Sequence, residues 1–142
     1  MEYDSATNFE KKLITLHRYF IWCDRMRVHF DSILNQSIDG KIVDEKIHRI
    51  DSRLYMSLWY GLLYVVIEGW RELKLEDQEI GKLLRSNNTD LLKRYRNGVF
   101  HFQVDYNDKR FEKFFEEITT VAWVRKLNEE FSRFFLNYFR NK

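Results

Sequence analysis

Apolar side chains recur at three- and four-residue intervals along nearly the whole chain, the spacing that lines one face of an α-helix. Phe9, Leu13, Leu16, Phe20, Phe30 and Ile33/Leu34 follow it, with Lys12, Arg18, Asp24 and Arg25 between them, and predict a first helix over about 8–35. Ser37-Ile38-Asp39-Gly40 breaks the pattern and predicts a loop. A second long helix is expected over about 44–73, and its later half is apolar nearly all round, as the central element of a bundle would be. Residues 75–85 read as a shorter helix started near Asp77, and the N-cap cluster Ser86-Asn87-Asn88-Thr89-Asp90 opens another. Leu91, Leu92, Tyr95, Val99 and Phe102 give that helix an apolar face. Asp105-Tyr106-Asn107-Asp108 is a turn signal, followed by a short helix near 109–118 and a final one near 120–140.

Composition supports this. Proline is absent and glycine occurs five times in 142 residues, which favours long helices and excludes a turn-rich β fold. The expected fold is all-α: a single-domain up-and-down helical bundle over 1–142, with two long N-terminal helices and shorter C-terminal ones. A hydrophobic content of 44% with 32% charged residues excludes a disordered chain. Phe131, Phe134, Phe135, Leu136, Tyr138 and Phe139 wrap around more than one face of the last helix, which asks for a second contact and predicts a homodimer.

The net charge of +2 provides no global field for nucleic acid, but residues 85–110 and 125–142 each carry a net +3 and would form one basic patch if they pack together. Cys23 stands alone, so no intramolecular disulfide is possible and a cytoplasmic setting is expected. The opening Met-Glu-Tyr-Asp-Ser lacks the basic start and apolar run of a signal peptide. The longest uncharged stretch, 54–67, has fourteen residues, too few to span a bilayer. No metal or other cofactor is expected. Glu45-Lys46-Ile47-His48 lacks the second such pair that a di-iron site requires, and Cys23 is six residues from both His17 and His29, which spreads ligands around a helix.

The chemistry concentrates in Arg96-Asn97-Gly98-Val99-Phe100-His101. Arginine neutralises a phosphate and histidine moves protons near neutral pH, the groups that metal-free phosphodiester cleavage needs. In one unbroken helix, Arg96 and His101 would stand about 140° apart, whereas Arg94, Asn97 and His101 would share a face. Either the helix bends or restarts near Gly98, or Arg94 also points into the site. Glycine at 98 would also permit close approach of a partner backbone.

Arg-Asn-x-x-x-His, late in an all-α chain with two long early helices, resembles the HEPN superfamily (higher eukaryotes and prokaryotes nucleotide-binding). Many members are metal-independent ribonucleases of toxin–antitoxin, abortive-infection and other defence systems, with an active site formed across a homodimer two-fold. The resemblance implies Arg96 and His101 as the catalytic pair, Asn97 as the polar residue beside the arginine, RNA as substrate, and an antitoxin or regulatory protein as a further partner. Members controlled by a nucleotidyltransferase often carry a tyrosine two residues after the histidine. Here Gln103 stands there, a departure that bears on control by adenylylation and not on the ribonuclease reading.

Glu68, after fourteen uncharged residues and before Gly69-Trp70, is expected to be partly buried and to orient an arginine of the motif helix. The alternative is a non-catalytic helical module that binds a protein or nucleotide, in which the Arg–His segment is a structural contact.

Overall fold

Among the residues described by the structure, a computed structural model covering 2–106, 108–111 and 118–141, every regular element is helical. The helices are α1 (Glu2–Ile38), α2 (Glu45–Glu72), α3 (Gln78–Leu84), α4 (Asn88–Phe100) and α5 (Ile118–Arg140), with a further helical turn at 109–111. The rest of the short helix expected near 109–118 lies outside the described residues, as does Asn107 of the expected turn. Among the described residues no helix is long and apolar enough to cross a membrane.

Helix α1 exceeds its expected bounds at both ends. Ser37 and Ile38 remain helical, and the break comes at Gly40, whose φ of +67° is the left-handed conformation that glycine adopts without strain. The Lys41 N–H then donates to the Gln36 carbonyl at 2.9 Å, closing the helix end. The later starts follow the capping residues. Asp44 accepts from the Lys46 and Ile47 amides and Asp77 from those of Glu79 and Ile80, while the Ser86 hydroxyl accepts from the Asn88 amide.

Helices α1 and α2 pack antiparallel. Leu16 meets Gly69, where a Cβ would overlap its side chain; His29 stacks on Tyr55; and a His48 ring nitrogen contacts the Ile33 carbonyl at 2.9 Å. Trp59, Leu63, Val66 and Ile67 of α2 are almost fully buried at the centre of the core. Helix α5 runs antiparallel to both α1 and α3. Arg125 pairs with Asp31 at 2.7 Å, Phe135 stacks on Phe20, and the ring of His17 lies against Phe135 and Phe139. At α3, Arg133 reaches Asp77 at 2.8 Å and the Trp123 indole donates to the Leu83 carbonyl at 3.0 Å.

Two expectations about α5 change as a result. Its second aromatic stripe is packed within the chain, where Phe134 lies edge-on against Trp70 and Tyr138 stacks on Phe134, while Leu136 stays 61% exposed. The wrapped aromatics therefore do not require a second chain. The basic patch expected from 85–110 and 125–142 also loses most of its α5 contribution, since Arg125, Lys126 and Arg133 pair with Asp31, Glu129, Glu130 and Asp77.

Three of these helices converge on the buried Asn128 amide. Its Oδ1 accepts from the Trp59 indole at 3.0 Å and from the Cys23 thiol at 3.6 Å, and its Nδ2 donates to Asp24 at 3.0 Å. Asn128→Ala strands the indole N–H and is expected to lower the unfolding free energy by about 1–3 kcal/mol, measured by denaturant titration. In a Trp59→Phe background the same change should cost less, because no indole donor remains to be stranded.

Stability should also fall with acid, in two stages. Burial lowers the His17 pKa, so the folded state favours the neutral ring and loses stability as pH drops below the ordinary value of 6.5. Burial raises Asp31 and Asp77, but hydrogen bonds and the arginines paired with them outweigh it and leave both below the ordinary 3.8. The Arg133 hydrogen bond likewise lowers Glu130. These carboxylates contribute fully at neutral pH, and their contribution is lost as pH falls through their depressed folded values. Melting temperature against pH should show both stages, and His17→Phe should remove the upper one alone.

Candidate functional site

Helix α4 crosses α2 through a seam of aromatic rings and small residues. Tyr95 packs edge-on against Tyr60, and its hydroxyl is 2.9 Å from that of Ser57. Phe100 lies over Gly61, where a Cβ would fall 2.5 Å from its ring, so only glycine admits the ring this close. Gly98 is buried against Phe111 of the same chain, whose ring would be 3.0 Å from a Cβ there. The space opened by Gly98 is thus taken from within the chain.

The helix neither bends nor restarts at Gly98. It ends at Phe100, and His101 caps it in extended conformation (φ −119°, ψ 131°) with its amide on the Asn97 carbonyl. Phe102, expected on the apolar face of the helix, lies beyond its end and is 94% exposed. The Gln103 side chain donates to the His101 carbonyl at 2.8 Å and accepts from Arg110 at 2.6 Å, which braces the segment after the helix. Further along, Arg53 of α2 donates to the Tyr106 hydroxyl at 3.0 Å.

Of the two candidate arginines, Arg96 enters the α2–α4 seam and Arg94 is exposed. The Arg96 Nε–H donates to Asn97 Oδ1 at 2.9 Å, its Nη1 pairs with Glu68, and its guanidinium lies 4.8 Å from the centre of the Tyr64 ring. Tyr64 and Glu68 are one helical turn apart on α2 and so present a ring and a carboxylate together. The Nη2 edge carries no hydrogen bond among the described residues.

The structure therefore joins Glu68, Arg96 and Asn97. Burial of Glu68 is not found, because its side chain is 50% exposed while that of Arg96 is 19% exposed. The carboxylate sits at the rim and the guanidinium beneath it. His101 stands at the end of the same helix with its side chain exposed, and no hydrogen bond joins the imidazole to Arg96 among the described residues. Tyr64 was not legible as part of the site. Its signal, the i, i+4 spacing to Glu68, acquires meaning only once Arg96 is known to lie there.

Chemically, the arrangement is a fixed cation with one open edge, on the helix whose C-terminal end presents a solvent-exposed imidazole. Among the described residues no group of three or more His, Cys, Asp or Glu is placed to hold a metal ion. Compared with family models, curated proteins and solved structures, the chain matches none.

Glu68→Gln should leave the fold intact, with a change in unfolding free energy under about 1 kcal/mol, as for other exposed ion pairs. It should loosen the guanidinium, seen as faster solvent exchange of the Arg96 Nε–H by NMR. Unchanged exchange would show that Asn97 and Tyr64 hold the side chain without the carboxylate.

Proposed function

We propose that this chain is a metal-independent endoribonuclease, acting in a toxin or defence system, with Arg96 and His101 as its catalytic pair. The observation that carries the reading is the anchored Arg96 guanidinium, held by Glu68, Asn97 and Tyr64 with Nη2 open, at the helix whose end presents His101. The resemblance of Arg-Asn-x-x-x-His to HEPN ribonucleases supports it.

In this mechanism an imidazole accepts the proton of a ribose 2′-OH as that oxygen attacks the adjacent phosphorus. The bond from phosphorus to the 5′-oxygen breaks, and a second acid protonates the leaving oxygen. The products are a 2′,3′-cyclic phosphate and a 5′-hydroxyl. Arg96 binds the phosphate oxygens as charge builds on them, and Asn97, Glu68 and Tyr64 keep it in place. Arg94, exposed on the same helix, would engage a neighbouring phosphate. The second acid is the partner subunit's His101 in a homodimer with a composite site, since one chain presents one such histidine. DNA lacks the 2′-hydroxyl and is not cut.

The second reading, a non-catalytic module that binds a protein or nucleotide, draws on the exposed Phe102 and Val104 beside His101.

Wild type should cleave a mixed RNA pool in excess EDTA and leave cyclic-phosphate ends. His101→Ala should lose about 10²–10⁴ in rate and Arg96→Ala about 10²–10³, both remaining folded by circular dichroism. Absence of cleavage by folded wild type, as monomer or dimer, would favour the binding module.

A further inference from the structure

Charges on α1 are segregated around the helix. Asp24 and Asp31 face α5, where they are bonded to Arg27, Asn128 and Arg125. Another edge of the helix presents Lys11, Arg18, Trp22, Arg25 and His29, all exposed. Their spacing of i, i+7, i+11, i+14 and i+18 puts them in one line about 27 Å long at the helical rise. No acidic residue interrupts that line.

The aromatic rings along it are held in place. Trp22 stays 46% exposed, with the Arg18 guanidinium 4.9 Å from its ring centre and Tyr19 edge-on at 5.3 Å. At the far end His29 stacks on Tyr55 at 5.2 Å. At the near end the line borders a groove of about 460 Å³ between α1 and α2, whose lining includes Lys11, Lys12 and Tyr19 on one side and Glu68 and Glu72 on the other. The same Glu68 holds Arg96, so the line leads into the seam that positions the candidate phosphate-binding arginine.

We infer that this face of α1 is a binding track for single-stranded RNA, which delivers the strand through the α1–α2 groove to Arg96; the inference rests on the ribonuclease reading. Alternating cations and an exposed indole suit a single strand, because the cations follow its phosphates while unpaired bases stack on the ring. A duplex hides its base faces and has no use for the indole. A bilayer would require a continuous apolar face, and the main one on α1 is spent in the core, where Leu13, Leu16 and Phe20 are buried. Ile14 and Ile21, exposed beside the track, make anionic vesicles the necessary control.

The test is fluorescence anisotropy with a 5′-fluorescein single-stranded RNA of about 12 nucleotides, within the usual range of site sizes. The protein is the full chain carrying His101→Ala, which cannot consume the probe by the proposed chemistry. Adding Arg18→Glu or Trp22→Ala should each weaken binding about five- to a hundredfold with no change in melting temperature. Adding Arg25→Gln should lower the slope of log affinity against log salt by about 0.7. The track is overturned if these variants bind like their parent, or if their effect appears only with duplex RNA or with phosphatidylserine vesicles. The two readings fail separately. Reduced binding alongside a wild type that cuts nothing would keep the track and remove the ribonuclease. Cleavage by a chain whose α1 variants bind RNA normally would do the reverse.

Discussion

The Asn128 amide is the contact on which the rest of the structure depends. It is buried on α5 and ties together α1 through Cys23 and Asp24, α2 through the Trp59 indole, and its own helix. Burial raises the Cys23 pKa well above its ordinary value, and the Asp24 charge adds to this, so the sulfur stays a protonated donor. A buried amide has few ways to satisfy both its ends, and leaving either unpaired is costly. The three helices are thereby held in one register. With α2 so held, Tyr64 and Glu68, about one and a half and two and a half turns beyond Trp59, meet Arg96 of α4.

From that register the site follows by packing. Gly69 lets α1 close on α2, and Gly61 lets Phe100 settle on α2 at the end of α4. The helix ends there, at Phe100, and His101 stands exposed just beyond it. Arg96 then lies over Tyr64, where the ring face favours a cation and the Glu68 carboxylate closes over it. A guanidinium immobilised in this way has lost its rotamer freedom before any ligand arrives.

Charge is distributed by the same packing. Arg125 and Arg133 are engaged by acids on α1 and at the start of α3, so the basic C-terminal segment becomes structural cement. Helix α1 has the opposite outcome: Asp24 and Asp31 turn toward α5, where Arg27, Arg125 and Asn128 engage them, while Lys11, Arg18 and Arg25 are left outside. A chain with a net charge of +2 thus acquires a positive edge along α1, because Asp24 and Asp31 lie on another side of that helix.

Much of this was legible in the sequence. The courses of α1 to α5, the capping by Asp77, the Ser86 hydroxyl at the start of α4 and the buried second half of α2 rest on residues within a few positions of one another, and local spacing and capping chemistry encode them. Pairing of Glu68 with an arginine of the motif helix was also legible, from a lone carboxylate at the end of an apolar run. Only the tertiary structure decided that the arginine is Arg96 and not Arg94, that Tyr64 lies beneath it, that α4 stops before His101, and that Arg125 and Arg133 of α5 are engaged by acids while Lys11, Arg18 and Arg25 of α1 stay exposed. Each of those outcomes depends on which faces meet between segments far apart in the chain. A rotation of one residue around a helix exchanges Arg96 for a neighbour, and only the packed core, through Asn128 and the glycine contacts, selects the rotation.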